Sequence, residues 1–237
     1  MSIILTHGAN SLPPDNGNLK FLTYFNRFNM STNQDRPVVG KCTNEISALN
    51  AQTSNISFND VTYSSLKLID TSDYSYFIVQ PSTSPSTHSI EFIYKSGSLS
   101  SGQQNFMWLG NGDICVHWKV DENLRFGLNG SSSYRIHDLV NYTGTNFGMN
   151  WFVNSTIPYT SSMHVAWISD EVQNKNFVYL NGTLVLSFWP YYNLLTKGVR
   201  FTNEVGGSFE LTQLAIWEGN QSTDNNTKYP VRTIPYK

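Results

Sequence analysis

Apolar and polar positions alternate with a period of two in several short runs of this chain, residues 90–95, 114–120 and 124–128 among them, which predicts strands. The most informative stretch is residues 163–186, which reads as consecutive hairpin strands: Met-His-Val-Ala-Trp-Ile-Ser-Asp, a short polar link, then Asn-Phe-Val-Tyr-Leu-Asn-Gly-Thr-Leu-Val-Leu. Asn181-Gly182 between two apolar runs predicts a hairpin there, because both central residues of a type I′ turn need φ > 0. Further strands are expected over residues 19–25, 65–69, 74–79, 90–95, 106–109, 114–120, 124–128, 151–153, 199–201 and 209–217. Two stretches are weakly periodic: residues 26–59 read as mostly loop, and residues 134–160 give only the short strand around Trp151. Pro190 cannot donate to a central ladder, so residues 188–192 read as a rigid aromatic loop. No helical period of useful length occurs.

These elements predict one all-β unit. Its expected divisions are an N-terminal arm over residues 1–18, a β-sandwich over 19–218 and a polar C-terminal tail over 219–237. A chain of 237 residues is long enough to bury one large core without dividing.

Composition narrows the partners. Aromatics are 14%, which suits strands that pack rings inward, while charged residues are only 14% and the net charge is −2. No basic face is left for nucleic acid and no polybasic segment for anionic lipid. No apolar run approaches a membrane span. The opening Met-Ser-Ile-Ile-Leu-Thr-His-Gly has no basic start or cleavage site, so no secretory signal is expected. Cys42 and Cys115 are too far apart in sequence for a metal knuckle or a redox pair, and are read as reduced thiols. Eight Asn-x-Ser/Thr triplets occur, about as many as this Asn- and Ser/Thr-rich composition yields by chance.

The order of elements is familiar. The runs Ser64-Ser-Leu-Lys-Leu68 with Tyr74, Ile90-Glu-Phe92, Trp108-Leu-Gly110, His164-Val-Ala166, Tyr179-Leu-Asn-Gly182 and Leu211-Thr-Gln-Leu-Ala-Ile-Trp217 resemble the laminin-G-like, or concanavalin A-like lectin and glucanase, superfamily. The resemblance implies an antiparallel jelly-roll β-sandwich, and many short alternating strands must indeed bury their apolar faces against a second sheet. Separately, Thr6-His-Gly-Ala-Asn-Ser-Leu12 is similar to the openings of some tailed-phage virion proteins. Together these imply a non-catalytic structural or binding protein of a virion, a head decoration or a tail or fibre component. Its partners would be other virion proteins, copies of itself, or a cell-surface glycan. The alternative is a secreted, extracellular lectin or adhesion domain, and behind it a glycoside hydrolase.

The superfamily's hydrolases resemble a Glu-x-Asp-x-x-Glu strand that aligns carboxylates on one face, and no such run exists here: Glu91 and Glu210 are each followed by uncharged residues. Asp121-Glu122 and Asp170-Glu171 read as solvated turn charges. No Gly-x-Ser-x-Gly elbow appears, and His7, His88, His117, His137 and His164 lack ligand spacing, so neither a nucleophile nor zinc is expected. The resemblance admits a loop calcium site to which Asp113 or Asp170 would contribute, but no dense acidic loop surrounds them, and no cofactor is expected. The strongest functional signal is aromatic: Trp189, Tyr191 and Tyr192 beside Asn193, with Tyr134 as an outlying candidate. Sugar rings stack their C–H faces on such side chains while amides bind hydroxyls. Capping the core or touching a neighbouring subunit would use the same residues.

Overall fold

In the computed structural model, the alternation becomes two antiparallel sheets face to face. The structure describes residues 18–25, 39–40, 42–46, 51–69, 75–82, 84–99, 104–109, 115–120, 124–129, 135–139, 150–154, 162–189, 191, 193–195, 198–203 and 207–231. No helix occurs among them.

The strands in chain order are β1 (Leu19–Thr23), β2 (Cys42–Ile46), β3 (Ala51–Phe58), β4 (Val61–Ile69), β5 (Ser75–Pro81) and β6 (His88–Leu99). There follow β7 (Gln104–Leu109), β8 (Cys115–Val120), β9 (Leu124–Asn129), β10 (Arg135–Leu139) and β11 (Asn150–Asn154). The chain closes with β12 (Met163–Asp170), β13 (Lys175–Leu180), β14 (Thr183–Trp189), β15 (Val199–Asn203) and β16 (Gly207–Glu218). One sheet has nine strands in the order β10-β14-β13-β12-β6-β16-β4-β3, with β1 also on β16. The other has seven, β11-β9-β8-β7-β15-β5-β2. The result is an all-β, antiparallel jelly-roll sandwich.

β16 serves two neighbours on one edge. Its first half pairs with β4, from Ser208↔Ile69 to Leu211↔Leu66, and its second half with β1, from Leu214↔Thr23 to Trp217↔Leu19. The exchange falls at a bulge marked by Gln213 (φ 52), where the Thr212 hydroxyl donates to the Ser64 carbonyl.

The inter-sheet core is where the alternation points. Phe92, Tyr94, Val165, Trp167, Leu211 and Ile216 face inward, and Phe201 from the seven-stranded sheet meets Phe92 edge-on at 5.3 Å between ring centres. Trp167 is wholly buried there, one of the largest side chains to be so. Each such residue contributes about 1.5–3 kcal/mol on burial.

The opposite face of the nine-stranded sheet carries two apolar clusters, one of them beneath residues 219–231. Leu19, Leu22 and Tyr24 pack on Ile93, Ala215 and Trp217, while residues 219–231 cross β12 and β13 and seat Tyr229 against Ala166, Ile168, Phe177 and Tyr179. Residues 219–231, the first part of the stretch read as a polar C-terminal tail, form a strap on the sandwich. Between the two apolar clusters lies a buried polar line. The Trp217 indole donates to Glu91 Oε1 at 2.7 Å, and His164 Nε2 stands 3.1 Å from Glu91 Oε2, with all three residues nearly or wholly buried.

The Asn181-Gly182 turn has the expected left-handed backbone, φ 45 and 79, and a second purpose. Gly182 accepts from the Tyr229 N–H at 2.9 Å, and a Cβ at Gly182 would fall 2.8 Å from the Tyr229 carbonyl oxygen. Gly182→Ala is therefore expected to destabilise the fold by about 1–3 kcal/mol through positive-φ strain and displacement of the strap. Urea unfolding checks this, and an unchanged midpoint would refute it.

Three strands lie where the sequence predicted mostly loop or weak pattern: β2, β3 and β10. Cys42 and Cys115 lie on β2 and β8, four ladder steps apart. At ~4.8 Å per step that is on the order of 19 Å, beyond the reach of a disulfide.

Candidate functional site

One end of the nine-stranded sheet gathers the loops around Trp189. The turn after β12, residues 171–174, meets the segment after β14, residues 189–195, and the segment before β6, residues 84–87. Side-chain to backbone bonds join them. The Tyr191 N–H donates to Asn174 Oδ1 at 3.0 Å, the Tyr191 hydroxyl to the Ser86 carbonyl at 2.7 Å, and the Glu171 N–H to Thr87 Oγ1 at 3.1 Å. Asn193 Oδ1 accepts from the Leu195 N–H at 2.9 Å, an Asx turn that fixes the loop, and from Ser84 Oγ at 3.4 Å.

Below the rim, a polar network anchors the turn. Asp170, expected as a solvated turn charge, is instead buried at the end of β12. Its oxygens accept from the Gln173 N–H at 2.9 Å, Gln173 Nε2 at 2.7 Å and Asn220 Nδ2 at 2.7 Å. Asn226, third of three successive left-handed residues, carries the network onward: its Nδ2 donates to Gln173 Oε1 at 2.9 Å and its carbonyl accepts from the Tyr179 hydroxyl at 2.9 Å. Burial, reinforced by the Asp170 carboxylate against an opposing hydrogen bond from Ser222, pushes the Tyr179 phenol up to about 12. With both Asp170 oxygens already facing amide donors, the surroundings do not fit a calcium ligand; Asp113 lies outside the described residues. Burial first, and then the Glu171 carboxylate, raise the Tyr191 phenol above its ordinary value, while Asn193 opposes them.

Of the candidates, Trp189, Tyr191 and Asn193 share this rim. Trp189 is 37% exposed, while Tyr191 and Asn193 are half-buried with polar groups engaged in holding the loop. Tyr192 and Tyr134 lie outside the described residues, though the backbone of Arg135, next to Tyr134, pairs with Trp189. A residue the sequence reading passed over joins them: Val172, 90% exposed in the same turn. Its signal was a lone apolar side chain inside the polar link Asp-Glu-Val-Gln-Asn. Trp189 and Val172 are the exposed large apolar side chains among the described residues, and both lie at this end. Chemically, the rim offers an aromatic surface and an aliphatic contact beside amides and hydroxyls.

No protein-family model matches the sequence, and no curated protein matches it. The fold has clear likenesses among solved structures. Botulinum neurotoxin type C, whose passage into cells depends on interaction with two ganglioside molecules, matches with a TM-score of 0.56 at 14% identity over 88% of this chain and 50% of that one. The binding domain of botulinum neurotoxin DC, solved in complex with rat synaptotagmin II, gives 0.53 at 14% identity over 86% and 49%. The serotype D binding domain gives 0.52 at 12% identity over 86% and 48%. The chain spans about half the length of these structures, and at such identities the likeness establishes the sandwich fold.

Proposed function

We propose that this chain is a non-catalytic, lectin-like binding module whose Trp189 rim recognises a cell-surface glycan. The observation that carries this is the pairing of exposed Trp189 and Val172 on one preorganised rim of amides and hydroxyls. A sugar ring that stacks its C–H face on the indole would meet hydrogen-bonding partners without any loop first having to order. The ganglioside and protein receptors of the toxins that share the fold support a recognition role. The burial of Glu91 between His164 and Trp217 supports a non-catalytic one, since that carboxyl is closed to substrate. We place the module on a virion, attached to other virion proteins or to copies of itself; the similarity of Thr6-His-Gly-Ala-Asn-Ser-Leu12 to phage virion openings supports that setting.

A glycan array tests the reading. The wild type is expected to retain glycans of one class, and Trp189→Ala to bind them at least about tenfold more weakly, with a stability cost of about 1 kcal/mol. An array with no retained glycan, together with self-association abolished by Trp189→Ala or Val172→Ala, would overturn it in favour of a subunit contact. Particle gradients test the setting: the chain should sediment with intact virions.

A further inference from the structure

An open groove of ≈ 510 Å³ lies at the other end of β12, lined by Ser57, Phe58, Asn59, Ser162, Asn181 and Val231. We propose that it is a second site, for a neutral saccharide, so that the chain carries carbohydrate-binding sites at both ends of β12, about 25 Å apart at ~3.3 Å per residue.

Three rigid pieces of backbone build the groove. Asn59 and Asp60 form the two-residue turn joining β3 to β4, with φ 47 and 62, and hold the Asn59 side chain at the lip. Asn181 is fixed more tightly: its N–H donates to the His164 carbonyl at 2.8 Å, and its Oδ1 accepts the His164 N–H at 2.8 Å. That leaves the Asn181 Nδ2 donors for a ligand. The third wall is Val231, the last described residue of the strap, whose Cγ2 would be 2.9 Å from a Cβ at Gly182.

The lining chemistry selects the ligand class. None of the six residues is charged, so an anion or a cation would find no counter-charge among them. Ser57, Asn59, Ser162 and Asn181 supply hydroxyl and amide groups that match the vicinal hydroxyls of a sugar. Phe58 and Val231, both packed against the apolar cluster around Trp217, supply the wall that a sugar's C–H face needs. The volume is that of a small-ligand site. This site shares no residue with the Trp189 rim.

The test is an amide ¹H–¹⁵N titration with lactose, maltose and cellobiose, each at millimolar concentration. At least one is expected to move the Asn59, Ser162 and Asn181 amides, equally in the wild type and in Trp189→Ala. The double variant Asn59→Gly with Ser162→Ala should weaken that binding about tenfold, since glycine accepts the positive φ while the side-chain contacts are lost. If its spectrum collapses, Ser162→Ala alone should weaken binding about threefold. Those three amides unmoved by all three sugars, or an unchanged affinity in the variant that folds, would overturn the second site. Loss of binding confined to Trp189→Ala on the array concerns only the rim, so the two readings fail separately.

Discussion

Glu91→Ala is expected to lower the unfolding free energy by about 3–5 kcal/mol, read as a fall in the urea midpoint with an unchanged slope. The size follows from what the truncation strands. Glu91 and His164 are wholly buried and Trp217 is nearly so, on the face of the sheet that the strap crosses. The carboxyl accepts the Trp217 indole N–H at 2.7 Å and meets His164 Nε2 at 3.1 Å; removing it leaves both without that acceptor where water cannot replace it. His164 has no compensating bond to offer, since its Nδ1 has no hydrogen-bond partner. Its ring also lies 5.8 Å from that of Tyr229, so the loss is expected to loosen the strap as well as the sheet. Glu91→Gln keeps an acceptor for the indole and should cost less than half as much. Equal losses in the two variants would refute this account of the polar line.

The second large effect is acid lability through His88, at the start of β6 beneath the rim. Burial lowers its pKa from 6.5 to about 4, outweighing backbone hydrogen bonds at Pro85 and Ser86 that act the other way. The ring donates from Nδ1 to the Pro85 carbonyl at 2.7 Å, and Nε2 has no partner to hold a second proton. Because the folded pKa lies below the unfolded one, the unfolded chain binds the proton first as pH falls. Stability is therefore complete above pH 6.5 and is lost progressively down to about pH 4, by about 3 kcal/mol in total. Urea midpoints measured across that window should fall with pH in the wild type and fall less in His88→Leu. A parallel slope in the two proteins would contradict the assignment.

The sandwich was legible where a strand has one face in the core, because burial imposes the alternation that sequence displays. β12 and β13 were legible for a different reason: both their faces are buried, one in the inter-sheet core with Trp167 and the other beneath the strap, so they read as near-continuous apolar runs ending at the Asn181-Gly182 turn. β3 was not legible for the converse reason. It is the outermost strand of its sheet's order, and of its residues only Ala51, Ile56 and Phe58 are buried, so its sequence reads as polar loop. The role of residues 219–231 was hidden because a strap needs one anchor, Tyr229, and local turns rather than a period. The rim was half legible. Aromatic residues beside Pro190 marked the loop, but nothing local shows that Tyr191 and Asn193 hold it in place, or that Val172 from another turn joins Trp189. Asp170 reads as a surface charge in sequence because the amides that enclose it come from Gln173 and from Asn220, 50 residues away.

Calorimetric titration of one glycan retained on the array into wild type and Trp189→Ala tests the central claim most directly. Glycan recognition at the rim predicts saturable binding by the wild type, weakened at least about tenfold by the substitution while the urea midpoint shifts little. Equal affinity in the two proteins would contradict it.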